Sequence, residues 1–193
     1  MKHLKLTLFI LTASVSGVWA QSVDTVAVWS QSMKKNVKNV VITPANYKTA
    51  KNERFPVVYL LHGAGGNYSN WIKKTPFLPE LASRYGMIIV CPDGNTHSWY
   101  WDSPVDTTSR YETYVSKELR EFIDKTYRTV DSREGRAITG LSMGGQGALF
   151  LAFRHLDLYG ACGSISGGVD IQSFPSSWYM EQKLGSQAEN PER

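Results

Sequence analysis

The feature that most constrains how this chain folds is a glycine-flanked serine, Ser142, which stands between a strand-like run and a helix-like run. Residues 140–144 match a G-x-S-x-G pattern, residues 136–139 are typical of a short buried strand, and residues 146–155 are rich in Ala, Leu and Phe. In this strand–turn–helix context the glycines let the backbone turn sharply enough to push a hydroxyl out of the sheet. The pattern predicts that Ser142 is a nucleophile for acyl carbonyls.

A second glycine-rich turn follows an apolar run upstream. Residues 55–61 predict a continuously buried strand of a parallel sheet, and residues 62–67 after them are mostly small. Small residues allow the backbone to approach a substrate closely, so we expect the N–H of Ala64 to pair with that of Met143 on a developing oxyanion. His62 is expected to order this turn rather than to act as the base, because the residue that opens such a loop belongs to the oxyanion scaffold.

The rest of the chain alternates between strand-like and helix-like patterns. Residues 23–29 and 37–43 predict two antiparallel lead-in strands joined by a polar turn around Lys34. The alternation after them implies one α/β domain, with a mostly parallel sheet, helices on both faces and ligands at the carboxyl ends of the strands. The further predicted elements are strands at 57–61, 87–91, 137–141 and 162–165, and helices over about 70–85, along 111–123 and after Ser142.

Four stretches carry a resemblance to a known family: 59–67 with Trp71 shortly after it, 90–94, 98–104 and 140–148. On these motifs the chain resembles the esterase D-type branch of the α/β-hydrolases, over roughly residues 40–170. This branch includes S-formylglutathione hydrolases, tributyrin-type esterases, feruloyl and acetyl-xylan esterases, and mycolyltransferases. The resemblance implies an α/β-hydrolase fold and ester hydrolysis through an acyl-enzyme on the serine, with no cofactor.

The sequence after Ser142 lacks the acid and base of such a site. Enzymes of this fold place an Asp or Glu and then a His after the nucleophile, but the only histidine beyond Ser142 is His155, and Asp170 has no histidine after it. His155 lies about 20 Å along the predicted helix, at 1.5 Å per residue, and cannot reach the hydroxyl. We therefore expect a C-terminally incomplete domain, inactive alone, whose acid, base and last strands lie beyond residue 193. The alternatives are a pseudoenzyme and a site rebuilt around His97.

The first twenty residues have the layout of a secretory signal peptide. Lys2 and Lys5 precede an apolar stretch at 6–18, and the small residue Ala20 precedes the expected cleavage site. The apolar stretch is short for a membrane span, although an uncleaved anchor is the alternative. Residues 21–193 are therefore expected to form a secreted or periplasmic domain with no stable membrane anchor.

Charge and cysteine content limit the partners and the covalent chemistry. The chain has 21 basic and 17 acidic residues, so removing the two lysines of the signal peptide lowers the net charge from +4 to +2. A nearly neutral surface argues against nucleic acid as a partner. Cys91 and Cys162 are expected to be two buried free thiols. In this fold, the strands that lead to His62 and Ser142 lie between the two strands that carry the cysteines, so a disulfide could not form. Neither the cysteines nor the four histidines have the spacing of metal ligands, so no metal is expected.

An aromatic-rich loop at 93–109 follows one of the strand ends. Its consecutive residues Trp99, Tyr100 and Trp101 cannot all face one core, and aromatic faces suit sugar rings and phenolic acids equally well. The alternative is a lid that packs over the strand ends without touching a ligand. The candidate substrate contacts are His62, Asn67, Trp99 and Tyr100.

These patterns together predict an exported carboxylesterase that acts on a small-molecule or carbohydrate ester. Export favours feruloyl or acetyl decorations of plant cell-wall glycans as the substrate. The alternatives are a general short-chain esterase, acyl transfer to a sugar hydroxyl, and a non-catalytic carbohydrate-binding protein that has kept the serine turn.

Overall fold

A six-stranded sheet organises the computed structural model, which describes residues 21–171, 177–186 and 188. The strands are β1 (Ser22–Ser30), β2 (Lys35–Thr43), β3 (Val57–Leu61), β4 (Ile88–Pro92), β5 (Arg136–Leu141) and β6 (Ala161–Ile165). Their order across the sheet is β1-β2-β4-β3-β5-β6. β2 pairs antiparallel with β1 and β4, whereas β3 pairs parallel with β4 and β5, and β5 with β6. The predicted signal peptide lies outside the described residues.

Helices follow β3, β4, β5 and β6 along the chain. They are α1 (Asn70–Lys74), α2 (Leu78–Tyr85), α3 (Tyr111–Thr113), a π-helical segment (Tyr114–Leu119), α4 (Arg120–Thr126), α5 (Met143–Arg154) and α6 (Glu181–Leu184), with a 3₁₀ turn at Ala45–Lys48. Within the described residues, no helix is both long and apolar enough to cross a membrane. The architecture confirms the predicted α/β fold with its mostly parallel sheet.

The sheet buries a separate apolar cluster on each face. On β4, Ile88 and Val90 join the cluster that α3, α4 and α5 cover, whereas Ile89 and Cys91 join the cluster that α2 covers. Successive strand residues point to opposite faces, so a strand that is apolar at every position requires a cover on both sides. The helices therefore lie on both faces of the sheet, as the continuous apolar runs predicted.

β6 forms the edge of the described sheet and is poorly covered. It pairs with β5, and no described strand lies on its other side. Ile165 on β6 is 49% exposed, and Phe153 on the neighbouring α5 is 67% exposed. Cys162 is exposed, which corrects the expectation of two buried thiols, because few described residues pack over the side chains of β6. Cys91 is buried, and both cysteines are free thiols separated by β3 and β5, as predicted.

A buried ion-pair cluster fixes the start of β5. Arg136 is 3% exposed, and its Nη2 lies 2.8 Å from Oδ2 of Asp124 in α4 and 2.9 Å from Oδ1 of Asp131. Its Nη1 also donates to the carbonyl of Leu158, at 3.1 Å. A buried guanidinium is stable only when such partners replace its hydration. These contacts connect α4 and the flanking loops to the N-terminal end of β5. Ser142 follows the C-terminal end of the same strand.

Candidate active site

Ser142 occupies a strained turn between the last residue of β5 and the first residue of α5. Its backbone has φ 55° and ψ −117°, a region that non-glycine residues rarely adopt. The turn is held by the Ser142 N–H, which donates to the carbonyl of Ile165 at 2.8 Å, and by the N–H of Gln146, which donates to the Ser142 carbonyl at 3.0 Å. The side chain is exposed, and its hydroxyl makes no hydrogen bond within the described part of the chain. Residues in such conformations often serve a functional site.

Close backbone approaches bring this turn against the end of β3. A Cβ built on Gly144 would lie 2.4 Å from the carbonyl oxygen of Leu61 and 2.7 Å from that of His62. A Cβ on Gly63 would lie 3.2 Å from the carbonyl oxygen of Leu141. Glycine at these positions lets the first turn of α5 press against the glycine-rich turn after β3. The two turns singled out by the sequence are therefore neighbours.

Two backbone N–H groups beside Ser142 have no acceptor among the described residues. They belong to Ala64 and Met143. The next two N–H groups after Ala64 are engaged, since Gly65 donates to the carbonyl of Thr96 at 2.8 Å and Gly66 donates to that of Gly63 at 3.1 Å. Met143 opens α5, where unpaired N–H groups and the helix dipole favour negative charge. The arrangement can accept an anion next to the serine.

His62 is buried beneath the same turn, and both ring nitrogens are hydrogen-bonded. Nδ1 donates to the carbonyl of Gly63, and Nε2 accepts from the N–H of Gly94, each at 2.8 Å. The ring is 2% exposed, and burial lowers the pKa of His62, so the neutral tautomer that these bonds require is favoured. The contacts link the turn after β3 to the loop after β4, which agrees with an ordering role for His62.

The buried His62 predicts a loss of stability on mild acidification. Its folded-state pKa lies below the unfolded value of about 6.5, so its contribution is complete above that pH and is lost as the pH falls through the folded pKa. Protonation also removes the lone pair that accepts the Gly94 N–H. We expect Tm to fall between pH 7.5 and 5, and the fall to be smaller in His62→Gln. A fall in His62→Gln as large as that in the wild type would contradict the assignment.

Among the described residues, two cavities meet at Ser142. One, of about 380 Å³, is lined by His62, Gly63, Ala64, Asn70, Trp71, Lys74, Thr75, Leu141 and Ser142. The other, of about 230 Å³, is lined by Ala64, Trp99, Ser142, Met143, Ser166, Gly168 and Trp178. Ala64 and Ser142 line both cavities, so a group bound at the serine has room on two sides. An ester has two substituents on its carbonyl group, and this geometry can accommodate both.

The four candidate substrate contacts have different environments. Trp99 forms a wall of the smaller cavity, where it stacks on Trp101 with ring centroids 5.4 Å apart, and His62 borders the larger one. Asn67 lines neither cavity; its Oδ1 accepts hydrogen bonds from the N–H and hydroxyl of Ser69 before α1. Tyr100 is fully buried and lines neither cavity, because its ring packs inside the fold. Tyr100 therefore has no face for a substrate.

The candidate contacts missed two tryptophans that line the cavities. Trp71 in α1 lines the larger cavity and donates its indole N–H to the carbonyl of Leu61 at 3.0 Å. Because Trp71 comes shortly after the glycine-rich turn in the sequence, its position in the cavity wall could have been predicted. Trp178 lines the smaller cavity, and its carbonyl accepts the indole N–H of Trp99 at 3.1 Å. Nothing in the sequence around Trp178 signals that contact.

The other described histidines lie outside both cavities. The ring of His97 packs on Tyr179, with centroids 4.1 Å apart. His155 follows the far end of α5, where its Nε2 lies 3.1 Å from a carboxylate oxygen of Glu112. Within the described residues, no group of three or more His, Cys, Asp or Glu side chains could hold a metal ion.

Comparison with known proteins gives a consistent result. A family model described as "Putative esterase" matches residues 30–191. The chain is 30% identical over 185 residues to an endo-1,4-beta-xylanase/feruloyl esterase of Xylanibacter ruminicola. The aligned region covers 89% of this chain and 25% of that protein. The chain is also 33% identical over 127 residues to an acetyl esterase of Caldicellulosiruptor saccharolyticus, and this aligned region covers 63% of this chain and 47% of that protein. The chain thus spans less than half the length of these curated relatives.

Solved structures share the fold. A ferulic acid esterase superposes with a TM-score of 0.74 at 27% sequence identity, over 87% of this chain and 69% of that one. An S-formylglutathione hydrolase from Agrobacterium tumefaciens also has a TM-score of 0.74, over 90% of this chain and 68% of that one. The sequence identity to this hydrolase is 24%, which supports a shared fold and nothing further.

Proposed function

Because this chain belongs to the esterase family whose model matches residues 30–191, we propose that it forms part of a serine carboxylesterase with Ser142 as the nucleophile. The observation that carries the proposal is the exposed serine in a strained turn, beside two backbone N–H groups without acceptors among the described residues. That combination suits attack on a carbonyl whose oxygen becomes negatively charged.

The proposed reaction has two halves. The hydroxyl oxygen of Ser142 attacks the ester carbonyl, the N–H groups of Ala64 and Met143 hold the resulting oxyanion, and the alcohol leaves as the acyl-enzyme forms. Water then attacks the acyl-enzyme and releases the acid. A base must take the proton of Ser142, and His62 cannot do so while both ring nitrogens are engaged. We place the base and its acid partner outside the described residues.

The proposed substrates are feruloyl or acetyl esters of plant cell-wall carbohydrate. The two cavities have tryptophan walls, Trp71 in one and Trp99 in the other, and aromatic faces suit both phenolic acids and sugar rings. The similarity to proteins named feruloyl esterase and acetyl esterase supports the same class. The signal-peptide pattern in residues 1–20 would bring the enzyme to substrates outside the cytoplasm.

The proposal is tested with the whole protein by two measurements. Hydrolysis of methyl ferulate and of p-nitrophenyl acetate is followed by release of acid and phenol, and a fluorophosphonate is used to label the activated serine. We expect turnover of at least one ester and a single phosphonyl adduct, which peptide mass spectrometry maps to Ser142. An adduct on another serine, or turnover without any adduct, would contradict the proposal.

The oxyanion assignment predicts the effect of Ala64→Pro. Proline removes the backbone N–H and restricts the preceding Gly63. Loss of one oxyanion donor costs about 10²- to 10³-fold in kcat, and we expect that loss with little change in KM. Ala64→Gly keeps the N–H and serves as the control, with kcat near wild type. If folded Ala64→Pro retains its kcat, another group donates to the oxyanion.

A further inference from the structure

We propose that Tyr100 is a positioning residue that fixes the two oxyanion donors relative to each other. The proposal rests on the esterase function above, since it assigns Tyr100 a place in the same site. Tyr100 touches neither cavity, so it acts through the backbone that carries Ala64 and the helix that begins with Met143.

The hydroxyl of Tyr100 pairs with both backbone groups of His62. Oη accepts a hydrogen bond from the His62 N–H at 3.0 Å and donates one to the His62 carbonyl at 3.2 Å. β3 ends at Leu61, where its register with β5 also ends, so His62 is the first residue beyond the strand. Buried backbone groups need partners, and the phenol supplies both where the ladder stops. The segment leading to Ala64 is thereby held in place.

The ring of Tyr100 occupies space that two glycines leave open. A Cβ on Gly94 would lie 2.4 Å from Cε1 of the ring, and a Cβ on Gly147 would lie 2.5 Å from Cδ2. Gly94 is in the loop after β4, and Gly147 is in α5, one turn after Met143. One side chain is therefore wedged between the loop that hydrogen-bonds His62 and the helix that supplies the second donor.

The backbone around Tyr100 is built to hold this position. Trp99 and Tyr100 have φ values of 55° and 60°, and consecutive positive values are rare for aromatic residues. Ser98 supports the bend, because its Oγ accepts the Tyr100 N–H at 3.0 Å and its carbonyl accepts the Trp101 N–H at 3.1 Å. Such a conformation persists only where surrounding contacts over-determine it.

The phenol remains a donor under ordinary conditions. Tyr100 is completely buried, and burial raises its pKa well above the ordinary value of a tyrosine. A protonated hydroxyl can donate to the His62 carbonyl while its oxygen accepts the His62 N–H. Phenylalanine keeps the ring but can do neither, so Tyr100→Phe isolates the hydroxyl contacts from the packing of the ring.

Tyr159 provides a matched control. It is 4% exposed, it packs edge-on against Tyr59, and its hydroxyl has no hydrogen-bond partner among the described residues. It precedes β6 and lines neither cavity at Ser142. Tyr159→Phe therefore removes a buried phenolic oxygen without removing a contact to the proposed site.

The experiment compares Tyr100→Phe and Tyr159→Phe in the whole protein. Hydrogen–deuterium exchange of residues 62–66 is measured first, because it needs no turnover, and steady-state kinetics on p-nitrophenyl acetate follow. We expect faster exchange of this segment in Tyr100→Phe only. We also expect kcat to fall about 10- to 100-fold with KM nearly unchanged, since small misplacements of catalytic groups cost this much. Tyr159→Phe should match wild type in both measurements.

Three results would overturn the proposal: unchanged exchange in Tyr100→Phe, faster exchange with unchanged kcat, or equal losses in the two variants. The last would show that any buried phenol acts through general stability. A failure of the esterase function is recognised separately, because the wild-type protein would then show neither turnover nor a phosphonyl adduct. In that case exchange of residues 62–66 alone decides whether Tyr100 holds the turn.

Discussion

Ser142→Ala is expected to lower kcat of the whole protein on p-nitrophenyl acetate by about 10⁴- to 10⁶-fold, as removal of a triad nucleophile does in serine hydrolases. The fold should remain, because the hydroxyl makes no hydrogen bond in the described part of the chain and the backbone bonds of Ser142 do not involve its side chain. The cavities keep their walls, so ester binding should change little. Kinetics with a circular dichroism melt measure both effects.

Ser132→Ala is the matched control for this substitution. Ser132 lies before β5, at the opposite end of the strand from Ser142, and has no place in the proposed site. Its kcat should equal that of the wild type. A Ser142→Ala protein that keeps a tenth of wild-type turnover would show that another group attacks the ester, and the proposed mechanism would fail.

The strands that carry the site could be predicted because burial on both faces leaves a strong sequence signal. β3 has the predicted bounds, Val57–Leu61, and β5 begins one residue before the predicted strand. β3 is apolar at every position, β5 carries Ala137, Ile138 and Leu141, and each strand ends at a glycine-rich turn, so its carboxyl end was identifiable from the sequence. Together with the serine-turn motif, which requires a second glycine-rich loop for the oxyanion, these strand ends led us to expect Ser142 and Ala64 close together.

The role of Tyr100 could not be predicted because the sequence does not specify where a loop side chain points. The expectation that these three consecutive aromatic residues cannot share one core is wrong, because Trp99, Tyr100 and Trp101 are all buried in the same apolar cluster. Their side-chain directions depend on the positive φ values of Trp99 and Tyr100, which no propensity favours. The signal that would have helped is Gly147, whose missing side chain in a helix admits the Tyr100 ring. A glycine inside a helix is costly, and here close packing explains it.

The exposure of Cys162 and the geometry of one helix differ from what the sequence pattern predicted. A buried thiol at Cys162 needs side chains packed over β6, and the described residues leave most of that strand exposed. The π-helical segment Tyr114–Leu119 buries Tyr114, Val115 and Leu119. Apolar spacing alone predicts the buried face but does not distinguish i→i+5 from i→i+4 hydrogen bonding, because the same face is buried in either case.

Gly144→Ala is expected to destabilise the fold and to disable the site together. Helix propensity alone predicts a gain of about 1 kcal/mol when alanine replaces glycine inside a helix. Here the added Cβ would lie 2.4 Å from the carbonyl oxygen of Leu61 and 2.6 Å from its carbonyl carbon, and these backbone atoms cannot rotate away. The first turn of α5 must therefore move off β3. We expect a net loss of about 2 kcal/mol or more in the free energy of unfolding.

The same displacement separates Met143 from Ala64, so kcat should fall about 100-fold even where the variant is folded. Gly163→Ala is the control, because the nearest atom to its Cβ would be the Thr139 hydroxyl at 3.1 Å, which belongs to a side chain that can shift. Its stability and turnover should stay near wild type. Denaturant melts and steady-state kinetics on the two variants decide the matter: a Gly144→Ala protein more stable than wild type would show that propensity prevails, and that α5 is not pressed against the end of β3.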